Sequence, residues 1–353
     1  MADVAVLGAG LAGASVAWWL RGRSVVVVEQ GEQPGAEASA QNAGMQRRLV
    51  VDSVERALAV RAGRWYDALP AGFEPGAVRR TGGITALADD AHRMDAAVAD
   101  LRAEGIPVDE RASIFLDVRR EWHVPEAMLD PTALISGFLR EATVRLRTRA
   151  RVAVAGGRVV GLDTPDGRID ADHVVVAGGA WAVAVSRDLG LYRPLRPLAR
   201  HLFQTEPDPA SNTDHPWCWV DDAGLYLRPE AGGWLCSPCD EVERHPVGPG
   251  SAGPTTADGA TLLAEKLARF APHLTHLGIR AGWTGLRTFT PDRRPLLGPD
   301  PEIEGLHWAV GLGGHGVTCA PAIGEVVADG IRGHVPVWID VGALAPGRFP
   351  LPR

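Results

Sequence analysis

The hydrophobic pattern at the start of the chain predicts a strand, a helix and a second strand in direct succession. A short apolar run at 3–7 leads into glycines, an alanine-rich stretch without charged residues follows, and a second apolar run at 25–28 ends in an acid, Glu29. Short apolar runs bounded by glycines are typical of buried strands, and the stretch between them is long enough for a helix. The pattern therefore predicts a β–α–β unit at the N-terminus.

Downstream, amphipathic and turn-bounded segments predict further helices and strands. Residues 51–69 carry apolar side chains at i, i+4, i+8 and i+11, which favours a helix, and Asp130 followed by Pro131 is typical of a helix start. Two turn signals divide 152–172 into three short strands, which indicates a β-meander. Other helices are predicted at 90–104, 130–142, 256–270 and from the last glycine turn to 331, and other strands at 81–87 and 173–178.

The region 194–249 differs from the rest in its frequent tryptophans, prolines and alternating strand patterns. Such alternation is typical of an antiparallel sheet. The tail from 332 is rich in proline, and we expect it on the surface. With 353 residues the chain is long enough for two domains that share one cleft.

The N-terminal segment carries a glycine motif with a specific chemical meaning. Gly8, Gly10 and Gly13 form a G-x-G-x-x-G fingerprint between strand and helix. The first glycine permits a tight turn, the second lets the backbone approach a pyrophosphate, and the third lets helix and strand pack closely. The helix N-terminus offers unpaired N–H groups to phosphates, and Glu29 lies where a carboxylate can accept the hydroxyls of an adenosine ribose. The segment therefore predicts a dinucleotide site.

The uncharged run from Val4 to Leu20 has a second interpretation as a signal peptide or a membrane span. Its start, Met-Ala-Asp, is acidic where a signal needs positive charge, and three glycines interrupt it. The run also falls short of the roughly 20 residues that cross a bilayer. We therefore expect a soluble protein with no membrane span and no targeting segment.

The composition limits which binding partners and which cellular compartment we expect. The net charge of −7 argues against nucleic acid or an anionic membrane as a main partner. Four cysteines are too few for a disulfide framework and favour a reduced, cytoplasmic location. Cys236 and Cys239 form a C-x-x-C, but no second pair completes a zinc site. We expect ordinary strand or turn residues there and no bound metal.

Four parts of the chain together resemble one family. They are the fingerprint up to Glu29, the loop 39–45, the segment 176–181, and the pair 285–292 with 311–324. Their order and spacing are similar to those of the FAD-dependent D-amino acid oxidase family, which includes glycine oxidase, sarcosine oxidase and the D-amino acid dehydrogenases. Within it, 225–229 and the turn 313–316 most resemble D-arginine-type dehydrogenases. Met45 instead resembles glycine oxidase-like members, because the D-arginine type has a histidine there.

The resemblance implies an α/β fold with an α+β substrate domain. A Rossmann-type FAD-binding domain would be assembled from 1–78, 140–190 and 285–335, a mixed-sheet substrate domain from 79–139 and 191–284, and 336–353 would form a C-terminal tail. It also implies FAD rather than NAD, because a simple NAD enzyme needs only the first fingerprint. We expect the FAD to be non-covalent, since Cys319 does not match the cysteine that binds flavin covalently in some sarcosine oxidases.

Three backbone segments are expected along FAD by this resemblance: the N-terminal turn, the segment 176–181 and the last glycine turn. Glu29 is expected at the ribose, the first glycines at the pyrophosphate, and the N–H groups of the last turn near flavin C2=O. The predicted FAD contacts are Gly8, Gly10, Leu11, Ala12, Gly13, Glu29, Gln30, Ser39, Asn42, Ala43, Gly44, Met45, Val152, Ala177, Gly178, Trp181, Arg287, Gly313, Gly314, His315, Gly316, Val317 and Thr318.

In this family an amine or α-amino acid loses hydride from its α-carbon to flavin N5, and the cofactor carries the difficult chemistry. The site therefore needs a cation for the substrate carboxylate but no dedicated base. Arg287 is the predicted clamp, because a guanidinium can make two parallel bonds to a carboxylate. Tyr226 and Arg200 are predicted to assist it, and His315 is predicted to lie over the flavin ring.

Each of these residues also has a structural alternative. Arg287 could pair with Asp292, Tyr226 could be a core residue, Arg200 a surface residue, and His315 the cap of the following helix. The tryptophans that could line the pocket, or alternatively fill the core, are Trp217, Trp219 and Trp234.

The predicted function is oxidation of the C–N bond of a small α-amino acid, namely a D-amino acid, glycine or an N-alkyl glycine. The imine product would hydrolyse to a 2-oxo acid and ammonia or an amine, and oxygen, a quinone or another carrier would reoxidise the flavin. The alternatives are an FAD-dependent 2-hydroxy acid dehydrogenase, an NAD(P)-dependent dehydrogenase and a flavin-bound subunit without turnover. The side chain and stereochemistry of the substrate stay open.

Overall fold

Two β-sheets with helices packed against them form the fold. The structure is a computed structural model that describes residues 2–248, 250 and 252–349. Within these residues no helix is long and apolar enough to cross a membrane. The helices are α1 (Leu11–Trp19), α2 (Ser53–Asp67), α3 (Asp95–Ala103), α4 (Pro131–Leu139), α5 (Ala182–Asp188), α6 (Ala257–Phe270) and α7 (Gly316–Ile331).

The first sheet is parallel at its centre, in the order β18-β19-β11-β1-β2-β8. Strand β1 pairs in parallel with β2 and β11, and β11 pairs in parallel with β19. This arrangement confirms the predicted β–α–β unit and the α/β class. The strands are β1 (Ala2–Leu7), β2 (Val25–Val28), β8 (Thr143–Arg145), β9 (Arg151–Ala155), β10 (Arg158–Thr164), β11 (Gly167–Val176), β18 (Leu296–Pro299) and β19 (Leu306–Val310).

Helices α1 and α7 begin at the same edge of this sheet and pack against each other. Each follows the carboxyl end of a parallel strand, α1 after β1 and α7 after β19. A Cβ on Gly324 would lie 2.7 Å from the carbonyl oxygen of Ser15, so only glycine allows this helix–helix distance. Two helix N-termini, each with a partial positive charge, therefore meet at one edge of the sheet.

Helix α7 contains a proline that removes one of its hydrogen bonds. Pro321 has no N–H to offer to the carbonyl of Val317, one turn earlier. The buried hydroxyl of Tyr66 on α2 donates to that carbonyl at 2.6 Å. The α2–α7 contact therefore satisfies a carbonyl that the helix itself leaves free.

The second sheet is mainly antiparallel, in the order β16-β12-β15-β14-β13-β4-β6-β5, with β17 paired to β12. Only β13 and β4 pair in parallel among its described strands. Helix α6 covers it through Leu263, Leu267 and Phe270. The strands are β4 (Gly83–Leu87), β5 (Asp109–Arg111), β6 (Arg120–Val124), β12 (Arg196–Thr205), β13 (Trp217–Val220), β14 (Leu225–Glu230), β15 (Gly233–Ser237), β16 (Val242–Glu243) and β17 (Ile279–Phe289), and a separate pair is formed by β3 (Val78–Arg79) and β7 (Met128–Leu129).

The predicted division into two domains stays a prediction. Strand β17 pairs with β12 from Ile279 to Phe289, so the expected boundary between 284 and 285 falls within a single strand. Strand β17 belongs to the second sheet, and the chain continues from it directly into β18 and β19 of the first sheet. Side chains on β17 can therefore face the space between the sheets.

Several predicted element limits were wrong for physical reasons. The third strand of the meander and the apolar strand at 173–178 form one strand, β11, because no turn residue separates them. The helix expected at 90–104 begins only at Asp95. The tail is not entirely on the surface: Ile339 and Leu344 are buried in the main core, since prolines prevent a helix or strand there but not the burial of apolar side chains.

Candidate active site

A large cleft of about 1030 Å³ runs along the carboxyl edge of the first sheet. It is lined by the turns that follow β1, β11 and β19, and by the ends of α1 and α7. Its volume lies at the upper end of the roughly 300–1,000 Å³ that ordinary small-molecule sites occupy. The cleft is therefore large enough for an extended, dinucleotide-sized ligand.

The N-terminal fingerprint forms the tight turn that its glycines predict. Gly8 has φ of +111°, and a Cβ there would lie 2.6 Å from the carbonyl oxygen of Ala177. Gly10 is the N-cap of α1 and has no side chain to cap it. The N–H of Leu11 bonds to Ser39 Oγ at 3.0 Å, and the N-terminus of α1 faces the cleft. This is the arrangement that binds phosphate groups at helix N-termini.

Glu29 lies at the end of β2 and lines the same cleft. Its carboxylate accepts the N–H of Ala9 at 2.9 Å and the N–H of Gly31 at 2.7 Å. These two bonds fix the side chain beside the glycine turn. An acid held in this place can accept the hydroxyl groups of a ribose.

The last glycine turn, 311–316, connects β19 to α7 and borders both the cleft and a second, smaller cavity. The N–H of Gly313 bonds to the carbonyl of Thr288 at 2.9 Å, and both Gly313 and Gly314 have positive φ. The smaller cavity has a volume of about 60 Å³. Residues that line both spaces are Asn42, Arg287, Gly313, Gly314 and Val317.

Arg287 lies at the junction of the cleft and the small cavity. Its side chain is buried, with only 6% of the residue exposed, and Nη2 donates to the carbonyl of Gln41. Nη1 has no hydrogen-bond partner, and no carboxylate of the described residues lies within 4 Å of the guanidinium. Burial, reinforced by the nearby charge of Arg200, lowers the pKa of Arg287 to about 10, so the group remains a cation at neutral pH. Arg287 is therefore a buried positive charge whose Nη1 has no hydrogen-bond acceptor.

Arg200 and Tyr226 face the same small cavity as Arg287. Arg200 lies opposite Gly285 in the β12–β17 register, which puts it diagonally beside Arg287 on one face of the sheet. Its Nη2 bonds to Glu241 at 3.0 Å, while its buried Nε has no partner. Tyr226 is buried and stacks on Trp219 with ring centroids 5.5 Å apart, and burial raises the pKa of its hydroxyl.

His315 lies at the wall of the small cavity rather than over the large cleft. It is the N-cap residue of α7, but its side chain makes no capping bond. Its Nε2 accepts from Arg47 Nη2, and its Nδ1 faces Glu55 at 3.3 Å. Because a guanidinium can only donate, Nε2 is the acceptor in this contact.

Arg47 is a cavity residue that the sequence reasoning missed. It lies two residues after Met45 in the loop expected along the cofactor, so the arginine pair at 47–48 was the available signal. Its guanidinium lies 4.0 Å above the ring of Trp219 and contacts Asp221 at 3.2 Å. The cleft also has lining residues outside the predicted set, among them Glu37, Thr148, Arg149, Arg151, Asp163 and Val247.

The structure brings most of the predicted site residues to one of the two spaces. Gly13 lines neither space; it lies beneath the turn, against the Gly8 carbonyl. The predicted residues that line the cleft are Gly8, Gly10, Leu11, Ala12, Glu29, Gln30, Ser39, Asn42, Val152, Ala177, Gly178, Trp181, Arg287, Gly313, Gly314, Gly316 and Val317. Those that line only the small cavity are Ala43, Gly44, Met45, Arg200, Tyr226, His315 and Thr318.

The structure places most residues of the remaining predicted alternatives either in the small cavity or in the protein core. Asp292 pairs with Arg348, not with Arg287. Trp219 lines the small cavity, whereas Trp217 and Trp234 are fully buried in the protein. The pair Cys236 and Cys239 lines neither space, and the described residues contain no cluster suited to a metal ion.

The residues present fit FAD. The cleft is long enough, two helix N-termini open onto it, and Glu29 is fixed beside the glycine turn. A helix N-terminus whose own N-cap residue makes no side-chain cap supplies the N–H donors and positive charge that a pyrophosphate requires. The phosphates and ribose would thus be held by α1, Ser39 and Glu29, and the flavin end would lie toward the turn 311–316.

Glycine oxidases from two bacteria are similar to this chain in sequence. Glycine oxidase from Bacillus licheniformis is 26% identical over 379 aligned residues, which cover 96% of this chain and 95% of that protein. Glycine oxidase from Pseudomonas putida is 30% identical over 225 residues, which cover 63% of this chain and 54% of that protein. The chain thus spans about half the length of some of the curated relatives it matches.

Solved structures with the same fold cover almost the whole chain. L-proline dehydrogenase from P. horikoshii has a TM-score of 0.86 at 24% identity, covering 99% of this chain and 97% of that one. Glycine oxidase from Geobacillus kaustophilus has a TM-score of 0.82 at 22% identity, covering 99% of each chain. The family described as FAD dependent oxidoreductase (DAO) matches residues 3–330. The chain therefore belongs to the FAD-dependent oxidoreductase (DAO) family, and its cofactor is FAD.

Proposed function

We propose that this enzyme oxidises the C–N bond of a small α-amino acid: a D-amino acid, glycine or an N-alkyl glycine. The observation that carries the proposal is Arg287, a buried cation without a carboxylate partner at the junction of the cleft and the small cavity. A buried charge is costly unless it is paired. A substrate carboxylate bound to Nη1 and Nη2 would supply the missing partner and fix the substrate at the flavin end of the cleft.

Arg200 and Tyr226 would complete the carboxylate site. The free Nε of Arg200 and the hydroxyl of Tyr226 lie on the same cavity wall as Arg287. Hydrogen bonds from cations to a carboxylate are roughly twice as strong as neutral ones. Two cationic donors and one hydroxyl would orient the substrate α-carbon more precisely than a single donor.

The charges around the cavity would also favour the reactive form of the substrate. The oxidised substrate must present a neutral amine, and nearby cations lower the pKa of an ammonium group. No Asp or Glu of the described residues lines the small cavity, whereas three arginines do. The amine would therefore lose its proton to water without a dedicated base.

When bound, FAD would supply the two-electron oxidant at this end of the cleft, so that the Cα–H bond of the neutral amine could break and its C–N bond become C=N. The imine would then react with water to give a 2-oxo acid and ammonia or an amine. The N-terminus of α7 and the N–H groups of Gly314 and Gly316 lie at this end of the cleft. Their partial positive charge would stabilise negative charge there.

The names of several relatives support an amino acid substrate. Glycine oxidases and a D-amino acid dehydrogenase from Cereibacter sphaeroides are among the proteins that match the chain. As part of the same proposal, oxygen, a quinone or another carrier would accept the electrons from the reduced flavin. The acceptor is tested by following reoxidation of the reduced protein with oxygen and with a soluble quinone.

The test is an anaerobic screen of the FAD-loaded protein for loss of flavin absorbance with glycine, sarcosine, D- and L-amino acids and 2-hydroxy acids. We expect reduction by one of the amino acid groups and not by hydroxy acids. Arg287→Met should raise KM by at least about 10- to 150-fold, which corresponds to the loss of one charged hydrogen bond. Arg196→Met, an exposed arginine on β12 that pairs with Glu243, is the matched control and should change nothing. Reduction by 2-hydroxy acids alone would overturn the proposal.

A further inference from the structure

The small cavity contains more positive charge than one substrate carboxylate requires. Arg47, Arg200 and Arg287 all line it. Arg287 and Arg200 lie diagonally on adjacent strands and can hold the same carboxylate. Arg47 belongs to a different segment of the chain and approaches from the loop after Met45, so it is available to a second group.

The acids near this cavity do not neutralise its arginines, because each is shared. Asp221 contacts Arg47 through Oδ1 at 3.2 Å and Arg93 through Oδ2 at 2.8 Å. Glu241 is shared in the same way between Arg200, at 3.0 Å, and Arg293. Asp221 and Glu241 thus face four guanidinium groups, and a third acid, Glu55, faces the ring of His315 at 3.3 Å. Arg287 adds a fifth guanidinium group without any acid of its own. The charge count leaves a surplus of positive charge.

Arg47 is held rigidly on the side of the cavity away from the cofactor cleft. It lines only the small cavity, whereas Arg287 lines both spaces. Its guanidinium is stacked 4.0 Å over Trp219, and its backbone N–H donates to Thr318 Oγ1 at 3.2 Å. Its neighbour on the other side, His315, contacts it through Nε2, and an imidazole brings no negative charge. The guanidinium is therefore pre-organised and only partly neutralised.

We propose that Arg47 binds a second carboxylate of the substrate, so that the preferred substrates are short α-amino or imino dicarboxylates. This inference rests on the proposed amino acid oxidation. The α-carboxylate would lie on Arg287 at the junction with the cleft, and the second carboxylate would lie on Arg47 at the far wall. The cavity volume of about 60 Å³ favours a short arm, since each water-sized group needs roughly 10–15 Å³.

The experiment compares pairs of substrates that differ in charge but not in shape. The rate of anaerobic flavin reduction is compared between D- or L-aspartate and the asparagine of the same configuration. It is compared in the same way between iminodiacetate and its monoamide. We expect kcat/KM to favour the acid over the amide by about 10- to 150-fold in at least one pair, the range of one charged hydrogen bond to a buried partner. In Arg47→Met this preference should fall to less than about 5-fold, mainly through KM.

Arg93→Met is the matched control. Arg93 shares Asp221 with Arg47 but is partly exposed and does not line the cavity. It should keep the preference of the unaltered protein. Arg47→Lys keeps the charge, so it should retain most of the preference even if the methionine variant loses FAD or fails to fold. Titration of the FAD-loaded protein with malonate and with acetate, followed by the flavin spectrum, gives a second readout, and malonate should bind more tightly only while residue 47 is a cation.

The outcomes separate this inference from the proposed function. Equal rates with aspartate and asparagine, and with iminodiacetate and its monoamide, overturn the role of Arg47 and leave amino acid oxidation intact. The same conclusion follows if Arg93→Met and Arg47→Met lower the preference equally. If no amino acid reduces the flavin, the proposed function itself fails, and the inference fails with it.

Discussion

Gly285 and Arg287 lie two residues apart on one face of β17, and the missing side chain of the first makes the space that the guanidinium of the second occupies. A Cβ on Gly285 would be closer to Arg287 Nη1 than van der Waals contact allows, and 2.8 Å from the carbonyl oxygen of Gln41. The same carbonyl accepts from Arg287 Nη2. The position of the proposed carboxylate clamp therefore depends on a glycine that touches no substrate.

Gly285→Ala should weaken substrate binding without removing the cofactor. The added methyl group must displace the Arg287 guanidinium, and the loss of an aligned charged hydrogen bond corresponds to about a 10- to 150-fold rise in KM. Steady-state kinetics and flavin content of the purified variant are the measurements. Gly278→Ala, whose Cβ would meet only Glu206 Cγ at an ordinary 3.4 Å, is the control. An unchanged KM in Gly285→Ala would contradict the role given to Arg287.

Tyr66→Phe should destabilise the protein although it removes only one hydroxyl. The variant leaves the Val317 carbonyl without a donor, because Pro321 has no N–H to replace it. An unsatisfied buried polar group costs about 1–3 kcal/mol. Chemical denaturation, followed by circular dichroism at fixed pH and with saturating FAD, measures the difference in the free energy of unfolding.

A double-mutant comparison tests the cause of that loss. In Pro321→Ala the helix regains an N–H that can bond to Val317, so Tyr66→Phe should cost clearly less in that background than alone. If the cost is the same in both backgrounds, the hydroxyl stabilises the protein in some other way, and the account of the proline is wrong.

Features that depend on neighbouring residues could be predicted from the sequence. The fingerprint, the cap Asp130 and the helix that follows it depend on local backbone geometry, and a few adjacent residues determine them. The family and the α/β class were also predictable, because several glycine turns occur in a fixed order. The functional roles of Arg287, Tyr226 and Arg200 remain predictions, although all three line one cavity.

Features that depend on distant contacts could not be predicted. Arg47 is identified as a cavity residue only by its contacts with Trp219 and Asp221. These two residues lie on and directly after β13 of the second sheet, far from Arg47 in sequence. The alternation Trp217, Cys218, Trp219 puts both tryptophans on one side of β13, yet Trp217 packs against Gly83 while Trp219 faces the cavity. Periodicity gives the face of a strand, but only the neighbouring strands and loops determine whether that face is core or cavity.

FAD should be released when the protein is denatured. Each of the four cysteines is described, and none lines the cleft or the small cavity. Cys319 is buried on α7, and burial raises the pKa of its thiol, so the reactive thiolate is disfavoured. Acid precipitation should leave the yellow colour in the supernatant, and Cys319→Ser should bind as much FAD as the unaltered protein. Colour retained in the pellet would overturn the prediction.

His173 and His307 form a pair on the adjacent strands β11 and β19 of the first sheet. His173 Nδ1 and His307 Nε2 are 3.2 Å apart, and His307 is buried, with 4% exposed. Burial, together with the charge of its partner, lowers the pKa of His307 from 6.5 to about 4. A proton on each ring would bring two cations into contact, one of them on the buried ring of His307.

Stability should therefore fall as the pH falls from about 6.5 toward 4. In that window the unfolded chain binds a proton at position 307 that the folded protein excludes, so protonation favours unfolding. For a shift from 6.5 to about 4, linkage gives a loss of about 2 kcal/mol between pH 6.5 and pH 4.5 from this residue. Denaturant unfolding at the two pH values measures the change in the free energy of unfolding.

His307→Leu should lose about 2 kcal/mol less stability than the unaltered protein over the same pH interval. An Ala substitution at the exposed His245 should instead follow the unaltered protein. Parallel losses in all three proteins would mean that His307 is not the group whose protonation destabilises the fold.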